Sequence, residues 1–163
     1  CLVGSEMCKE TVRAIGVSNF YPDRLVDLCS FVEVKPAINQ VETHIFQQQK
    51  IAHEYMKKYG VQHESWGPFA EGRKDFFTNP VLNEIGKKHA KSAAQVALRF
   101  LLQSDVVVIP KSTHKERMEE NINVFDFALD ASDMNAIRAL DENESLFFSH
   151  YDPAIAEMMI KLH

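Results

Sequence analysis

The sequence predicts an α/β fold in which four short strands each lead into a helical stretch. Segments with strand composition start near residues 12, 37 and 61, about 25 residues apart, and a fourth lies at 106–109. Stretches with helical periodicity fill the gaps between them. Repeated strand–helix units of this length build a parallel sheet, because each helix returns the chain to the starting edge of the sheet.

Local residues assign the elements of each unit. The four strands are predicted at 12–17, 37–41, 61–66 and 106–109. Residues 1–10 are expected to end a helix, and Pro22 suits the first turn of the helix after the first strand. A helix at about 47–59 is expected to stop at Gly60, because glycine readily adopts the left-handed conformation that ends helices.

The last unit is longer than the others. A loop at 67–79 leads to a helix starting near Pro80, and a capping box at 92–95 opens a further helix. After the fourth strand and its helix, an additional helix is predicted to begin at Asp130. The tail at 145–163 is expected to lie over the domain.

Composition and charge exclude several classes of protein. Of the 163 residues, 45% are apolar and 25% are charged, and no apolar run approaches the roughly 20 residues of a membrane-spanning helix. The N-terminus lacks a signal-peptide pattern, and a net charge of -5 argues against nucleic acid or membrane surfaces as partners. We therefore expect a cytoplasmic protein that binds neither. No cysteine or histidine spacing is typical of a metal site.

Positive charge gathers directly after the fourth predicted strand. The strand at 106–109 is apolar, and Pro110 ends it. Lys111, Ser112 and Arg117 follow at its carboxyl end and in the first turn of a helix. Ligands of α/β proteins bind at this edge, and the free N–H groups of a helix N-terminus favour anions. The segment therefore predicts a phosphate site, although both cations could instead be solvated surface residues.

Four short motifs resemble the aldo-keto reductase family. They are GVSNF at 16–20, NQVE at 39–42, ESWGPFAEG at 64–72 and IPKS at 109–112. Their order and approximate spacing resemble the last four strands of a bacterial-type NADPH-dependent reductase. The resemblance covers nearly the whole chain and implies a (β/α)8 TIM barrel, of which residues 1–163 hold about the last four βα units, the C-terminal helix and the tail. The strand period alone leaves an open four-stranded parallel sheet as an alternative.

The resemblance implies NADPH as the cofactor and assigns residues to it. These are Ser18, Asn19, Gln40 and Trp66 at the nicotinamide, Gly67 at the pyrophosphate, Lys111, Ser112 and Arg117 at the 2′-phosphate, and Glu120 and Asn121 at the adenine. Amide and hydroxyl side chains suit a carboxamide because they both donate and accept hydrogen bonds. A Lys and an Arg suit the doubly charged phosphate. Without the resemblance, Ser18 and Asn19 would be turn residues and Trp66 a core residue.

The resemblance also implies reduction of a small aldehyde or ketone to an alcohol. In that family a Tyr donates the proton, assisted by a Lys, an Asp and a His on the first four strands, which this sequence does not contain. None of the four tyrosines is predicted at a strand end beside a lysine. We therefore assign no catalytic residue and expect the chain alone to be inactive. A non-catalytic NADPH-binding or regulatory module is the alternative.

Half a barrel leaves unpaired sheet edges, which proteins normally cover. We expect either that an N-terminal half is missing, so that the chain is a fragment, or that two copies self-associate to cover the edges. One residue departs from the barrel pattern. Alternation along 61–66 turns His63 toward the helices, where an apolar residue is usual.

Overall fold

The computed structural model describes residues 12–149 and 151–161. A parallel sheet of four strands in chain order lies at its centre, which confirms the predicted fold class. The strands are β1 Gly16–Ser18, β2 Ile38–Glu42, β3 Gln62–Trp66 and β4 Val107–Val108. The helix end predicted at 1–10 lies outside the described residues.

Neighbouring strands are aligned so that their carboxyl ends lie side by side. Ser18 of β1 pairs with Gln40 of β2. Gln40 pairs in turn with Glu64 of β3, and Glu42 pairs with Trp66. Side chains at the ends of three strands therefore meet at one edge of the sheet, where barrel proteins gather their functional groups.

The two outer strands are shorter than predicted. β1 begins at Gly16, and Ile15 before it is 43% exposed. β4 is short because the Val106 N–H donates to the Leu101 carbonyl oxygen at 3.0 Å instead of to a strand, and Pro110 has no N–H to donate. Within the described part of the chain, β1 pairs only with β2 and β4 only with β3, so each has an open edge.

Helices follow every strand. They are α1 Pro22–Phe31, α2 Lys50–Tyr59, α3 Pro80–His89, α4 Ala93–Gln103, α5 Lys115–Ile122, α6 Ala131–Arg138 and α7 Pro153–Ile160, and two short 3-10 turns, Ala70–Gly72 and Phe76–Thr78, lie in the loop after β3. None of the helices in residues 12–149 and 151–161 has the length and apolar character needed to span a bilayer.

The predicted helix signals act as expected at three helix ends. Ser92 and Gln95 form the capping box of α4. Asp130 and Asp133 form another at the start of α6. Gly60 ends α2 in the left-handed conformation with φ 72°. These local patterns fix the helix ends because each satisfies backbone groups that the helix leaves unpaired.

The start of α2 differs from the prediction by three residues. Gln47 and His44 exchange two backbone hydrogen bonds of 3.0 Å, which form a small loop after β2. Gln49 is left-handed, with φ 55°, and caps the helix that begins at Lys50. The helical pattern around residue 47 is therefore interrupted by a turn that periodicity alone does not reveal.

Two clusters of buried side chains hold these elements together. The larger cluster joins α3, α4 and α6 and includes Phe76, Leu82, Val96, Phe100 and Ile137. The smaller cluster packs α1 and α2 against β2 and includes Leu25, Cys29, Val41, Ala52 and Met56. Both lie on the helix-covered face of the sheet, and this leaves the carboxyl edge of the strands available for a site.

His63 faces the helices, as alternation along β3 predicts, and it is 1% exposed. Its Nε2 atom lies 2.7 Å from Thr43 Oγ1, and its Nδ1 atom lies 3.0 Å from Nδ1 of His53. Burial, followed by the nearby charge of His53, lowers the pKa of His63 to about 3. The ring is therefore neutral near pH 7, and two polar partners replace the apolar packing usual at this position.

Candidate functional site

Three of the predicted site residues form one hydrogen-bonded group at the ends of β1 and β2. Asn19 follows β1 with a left-handed backbone, φ 56°, and its N–H donates to the Gln40 carbonyl oxygen at 2.8 Å. The Ser18 hydroxyl donates to the same oxygen at 3.1 Å. Buried Asn39 supports this turn by donating to the Phe20 carbonyl oxygen at 2.7 Å and accepting from the Phe20 N–H at 3.3 Å.

The two amide side chains of this group each keep unused hydrogen-bonding capacity. Oδ1 of Asn19 accepts from Nε1 of Trp66 at 2.8 Å, and Nε2 of Gln40 donates to Glu64 at 2.5 Å. Within residues 12–149 and 151–161, neither Nδ2 of Asn19 nor Oε1 of Gln40 has a partner. One donor and one acceptor are therefore available at the carboxyl edge of the sheet, which matches the needs of a carboxamide.

Trp66 is packed against the tail. The centroid of its ring lies 5.1 Å from that of Phe147 at an interplanar angle of 64°, and 6.0 Å from that of Phe148 at 21°. Phe147 and Phe148 of the tail therefore lie over the end of β3. Trp66, Asn19 and the two phenylalanines line one cavity of about 970 Å³, whereas Ser18 and Gln40 do not line it.

Sequence reasoning missed Glu42, which anchors the tail. It is 4% exposed, and it accepts hydrogen bonds from the Ser145 hydroxyl at 2.5 Å, the Leu146 N–H at 2.9 Å and Nε2 of His44 at 3.0 Å. The His44 ring is oriented by a second bond, because its Nδ1 atom accepts from the Phe46 N–H at 3.3 Å. A carboxylate inside a strand motif was the available signal, but Ser145 and Leu146 lie 103 and 104 residues further along the chain.

Electrostatics at Glu42 favour the ionised form. Burial alone would raise its pKa, yet the hydrogen bonds from His44, Ser145 and the Leu146 N–H outweigh burial and lower the pKa below its ordinary value. The carboxylate is thus charged near neutral pH, and it holds the first residues of the tail against the end of β2.

The five residues predicted to bind phosphate and adenine lie together. Lys111, Ser112, Arg117, Glu120 and Asn121 all line a groove of about 490 Å³. Both cations are exposed. The Ser112 hydroxyl accepts a hydrogen bond from the backbone N–H of His114, the residue before α5, at 3.1 Å. The Glu120 carboxylate accepts from the hydroxyl of the residue that caps α4. The groove therefore combines two exposed cations, a hydroxyl and a helix N-terminus.

The loop after β3 connects the cavity to the groove. Trp66 lines the cavity and Phe69 lines the groove. Gly67 between them is left-handed, with φ 64°, and a Cβ atom at this residue would lie 3.9 Å from the Phe147 ring. A side chain at residue 67 would be strained in this conformation, which explains the glycine. The backbone at 67–68 links Trp66 of the cavity to Phe69 of the groove.

Two cations of the same loop contact the tail and the segment just before it. The Arg73 guanidinium donates to the Leu146 carbonyl oxygen and lies 4.1 Å from the centroid of the Phe147 ring. Lys74 forms an ion pair with Glu142. The tail is therefore held from two sides, by Glu42 at the end of β2 and by the loop after β3.

Comparisons with known proteins agree with this architecture. Residues 8–142 match the sequence profile of the Aldo/keto reductase family. Glyoxal reductase of Bacillus subtilis is 47% identical over 133 residues, which cover 82% of this chain and 48% of that protein. Methylglyoxal reductase DkgA of Escherichia coli is 39% identical over 142 residues, which cover 86% of this chain and 52% of that protein.

Solved structures give the same result. An aldo-keto reductase from a Medee basin deep-sea metagenome library superposes with a TM-score of 0.86 and 39% identity, covering 90% of this chain and 55% of that one. A silkworm aldo-keto reductase complexed with NADPH superposes with a TM-score of 0.80 and 31% identity, covering 86% and 46%. The chain thus spans about half the length of the relatives it matches.

Proposed function

Because its match to the family profile extends over most of its length, the chain belongs to the aldo/keto reductase family, and we propose that it forms the NADPH-binding half of an enzyme that reduces a small aldehyde or ketone to an alcohol. One observation carries the proposal. The predicted phosphate-binding residues line a single groove, and the loop at 67–68 joins that groove to Trp66 and Asn19. A dinucleotide placed along this path would meet a suitable group at each end.

The groove fits the 2′-phosphate of NADPH. Lys111 and Arg117 are exposed and can both turn toward a doubly charged ester, and Arg can contact phosphate with two parallel hydrogen bonds. An NAD-selective site more often places a free carboxylate against the ribose hydroxyls. The Glu120 carboxylate is already hydrogen-bonded to Ser92. The charge balance of the groove therefore favours NADPH over NADH.

The carboxyl edge of the sheet fits the nicotinamide. Nδ2 of Asn19 can donate to the carboxamide oxygen, and Oε1 of Gln40 can accept from the carboxamide nitrogen. Trp66 offers an aromatic face at the same edge, although Phe147 and Phe148 now pack on it. NADPH, when bound, supplies the hydride for carbonyl reduction. The role of these residues is to hold the ring in one orientation beside the cavity.

The proton donor is expected to come from outside these residues. Tyr151 donates to Asp23 at 3.2 Å, and burial, together with the Asp23 carboxylate, raises the pKa of Tyr151. A proton-donating tyrosine needs the opposite shift at neutral pH. Tyr55 and Tyr59 lie on α2. We therefore expect NADPH binding without carbonyl turnover from the 163 residues alone.

The open sheet edges suggest what completes the barrel. Val107 and Ile109 at the β4 edge are 39% and 48% exposed, and Ile15 beside β1 is 43% exposed. An N-terminal half with four more strands would cover both edges, as closure does in complete barrels. Alternatively, two copies of the chain pair through these edges. Sedimentation at increasing concentration distinguishes the two arrangements, because only self-association raises the sedimenting mass.

A non-catalytic NADPH-binding or regulatory module is the second candidate. The packing of Phe148 on Trp66, with rings only 21° from parallel, supports it, because the tail then takes the surface that a nicotinamide would use. Trp66 is the only tryptophan. Stacking of the nicotinamide on Trp66 is expected for the enzyme half, so Trp66→Ala should weaken NADPH binding there, and unchanged NADPH affinity favours the module.

The phosphate assignment is tested by titrating the chain with NADPH and NADH in a calorimeter. Charge-assisted hydrogen bonds to phosphate are worth about 1.5–3 kcal/mol, so Lys111→Ala and Arg117→Ala should each weaken NADPH binding by roughly 10- to 100-fold. NADH binding should change by less than about 3-fold, because NADH lacks the phosphate. Lys115→Ala is the matched control, since Lys115 is 84% exposed and pairs within α5 with Glu119. Equal losses for both cofactors would contradict the assignment.

A further inference from the structure

The cavity beneath the tail has a polar group that the proposed cofactor contacts do not use. Gln47 lines this cavity of about 970 Å³ and is only 9% exposed. Its backbone is fixed by the two hydrogen bonds to His44. Its side-chain oxygen Oε1 is buried and accepts no hydrogen bond from any residue in 12–149 or 151–161. Buried amide groups nearly always have partners, so an unpaired one beside a cavity points to a ligand.

The rest of the lining is largely aromatic and apolar. It includes Tyr21, Tyr55, Trp66, Phe147 and Phe148. Trp66 and the two phenylalanines are in ring contact, and Tyr21 packs on Tyr151 with 4.3 Å between ring centroids. Sites for small organic molecules commonly combine such surfaces with a few polar groups. Among these groups Gln47 is a buried amide whose oxygen makes no hydrogen bond within the described residues.

The charged residues that line the cavity all carry acidic side chains. In the described part of the chain they are Asp23, Glu42 and Glu144, and neither a lysine nor an arginine lines the space. The Arg73 guanidinium lies over the Phe147 ring but is hydrogen-bonded to the tail backbone and is not part of the lining. A ligand with its own carboxylate would meet repulsion here without a compensating cation.

We propose that this cavity binds the carbonyl substrate as a neutral molecule that hydrogen-bonds to the Gln47 amide, and that it rejects keto acids. An amide can turn to offer either its nitrogen as a donor or its oxygen as an acceptor. Gln47 can therefore contact a carbonyl oxygen, a hydroxyl group or an amide of the ligand. The term substrate rests on the proposed function, because the cavity shares Asn19 and Trp66 with the expected nicotinamide site.

The test compares two ketones of nearly the same shape, neutral 4-oxopentanamide and anionic 4-oxopentanoate. Binding to the full 163-residue chain is followed by the fluorescence of Trp66, the only tryptophan, with and without NADPH. We expect the neutral ketone to bind at least 10-fold more tightly. Asp23→Asn combined with Glu144→Gln should bring the anionic ketone to within about 3-fold of the neutral one, because both changes remove charge and keep shape.

Gln47→Met tests the hydrogen bond, because methionine retains the length of the side chain without its amide. We expect this substitution to weaken the binding of 4-oxopentanamide by at least 5-fold. Gln62→Met is the matched control, since Gln62 is a half-buried glutamine outside this cavity. If circular dichroism shows that Gln47→Met does not fold, Gln47→Glu replaces it. Gln47→Glu should weaken the binding of both ketones, and that of the anionic ketone more.

The outcomes separate this inference from the proposed function. Equal binding of the two ketones to a chain that binds NADPH would overturn the substrate class and leave the cofactor assignment intact. Selective binding of the neutral ketone by a chain that fails to bind NADPH would overturn the proposed function and support a site for neutral ligands. Binding of neither ketone, or an unchanged affinity in Gln47→Met, would overturn the inference.

Discussion

Replacing Glu42 tests whether one buried carboxylate holds the tail. Glu42→Ala removes the acceptor for three donors, the Leu146 N–H, the Ser145 hydroxyl and Nε2 of His44. Glu42→Gln keeps nearly the same shape. Its oxygen can still accept from His44 and Leu146, which share one oxygen of Glu42, and its nitrogen can donate to the oxygen of Ser145. The two variants therefore differ mainly in how many donors lose their partner.

The magnitude follows from counting these donors. In Glu42→Ala, the Ser145 hydroxyl can still donate to the Phe148 carbonyl oxygen at 2.9 Å, which leaves two unsatisfied donors. Each costs about 1–3 kcal/mol, so the free energy of unfolding should fall by about 2–6 kcal/mol. Glu42→Gln loses only the contribution of the charge, about 1 kcal/mol, because hydrogen bonds to charged groups are the stronger ones.

Urea unfolding at pH 7 gives both free energies, and Trp66 fluorescence shows whether the tail has detached. Phe147 and Phe148 pack on Trp66, so a detached tail should expose the indole and shift its emission to longer wavelength in Glu42→Ala. Emission from Glu42→Gln should stay close to that of the parent chain. Similar stabilities for the two variants, or unshifted emission from Glu42→Ala, would refute the reasoning.

Two further predictions concern buried positions away from the cavity. The pKa of His63 is lowered, by burial first and the charge of His53 second, from 6.5 to about 3. Below pH about 6.5 the His63 imidazole is protonated in the unfolded chain but stays neutral in the folded chain. The free energy of unfolding therefore decreases as the pH falls from about 6.5 toward 3. At pH 5 this loss is about 2 kcal/mol relative to pH 7.5. His63→Gln should reduce the difference between urea unfolding curves at these two pH values, and an undiminished difference would disprove the assignment. A Cβ atom on Gly86 would lie 2.4 Å from the Lys91 carbonyl oxygen, so Gly86→Ala should lower the free energy of unfolding by about 3 kcal/mol. Gly60→Ala meets no atom within 4 Å but has φ 72°, so we expect it to cost only about 1 kcal/mol. Equal losses in these two variants would argue against the close contact at Gly86.

Features that depend on residues close together in the sequence could be predicted. The five groove residues that the sequence singled out all lie in 111–121, and one strand end and the following helix bring them together. The ends of β1, β2 and β3 lie at one edge because parallel strands place their carboxyl ends together, although Ser18 and Gln40 do not line the cavity of Asn19 and Trp66. Their roles toward a cofactor stay predictions.

Features that depend on distant partners could not be predicted. From the sequence, Glu42 is only one more polar residue of a strand motif. The residues that hydrogen-bond to it, Ser145 and Leu146, lie far along the chain. Gln47 reads as part of a helix, and only the turn with His44 places it at a cavity. The covering of Trp66 by the tail is likewise a tertiary contact. Sequence periodicity reports which face of an element is apolar, but it does not report what packs there.

The distance between Glu42 and Ser145 has a consequence for synthesis of the protein. The hydrogen bond between them spans 103 residues, so at roughly 5–20 residues per second the ribosome releases Ser145 about 5–20 s after Glu42. During that interval β2 can pair with β3, but the glutamate still lacks two of its three partners. The nascent chain should therefore keep this end of the sheet hydrated and open to chaperones until Ser145 and Leu146 have been synthesised.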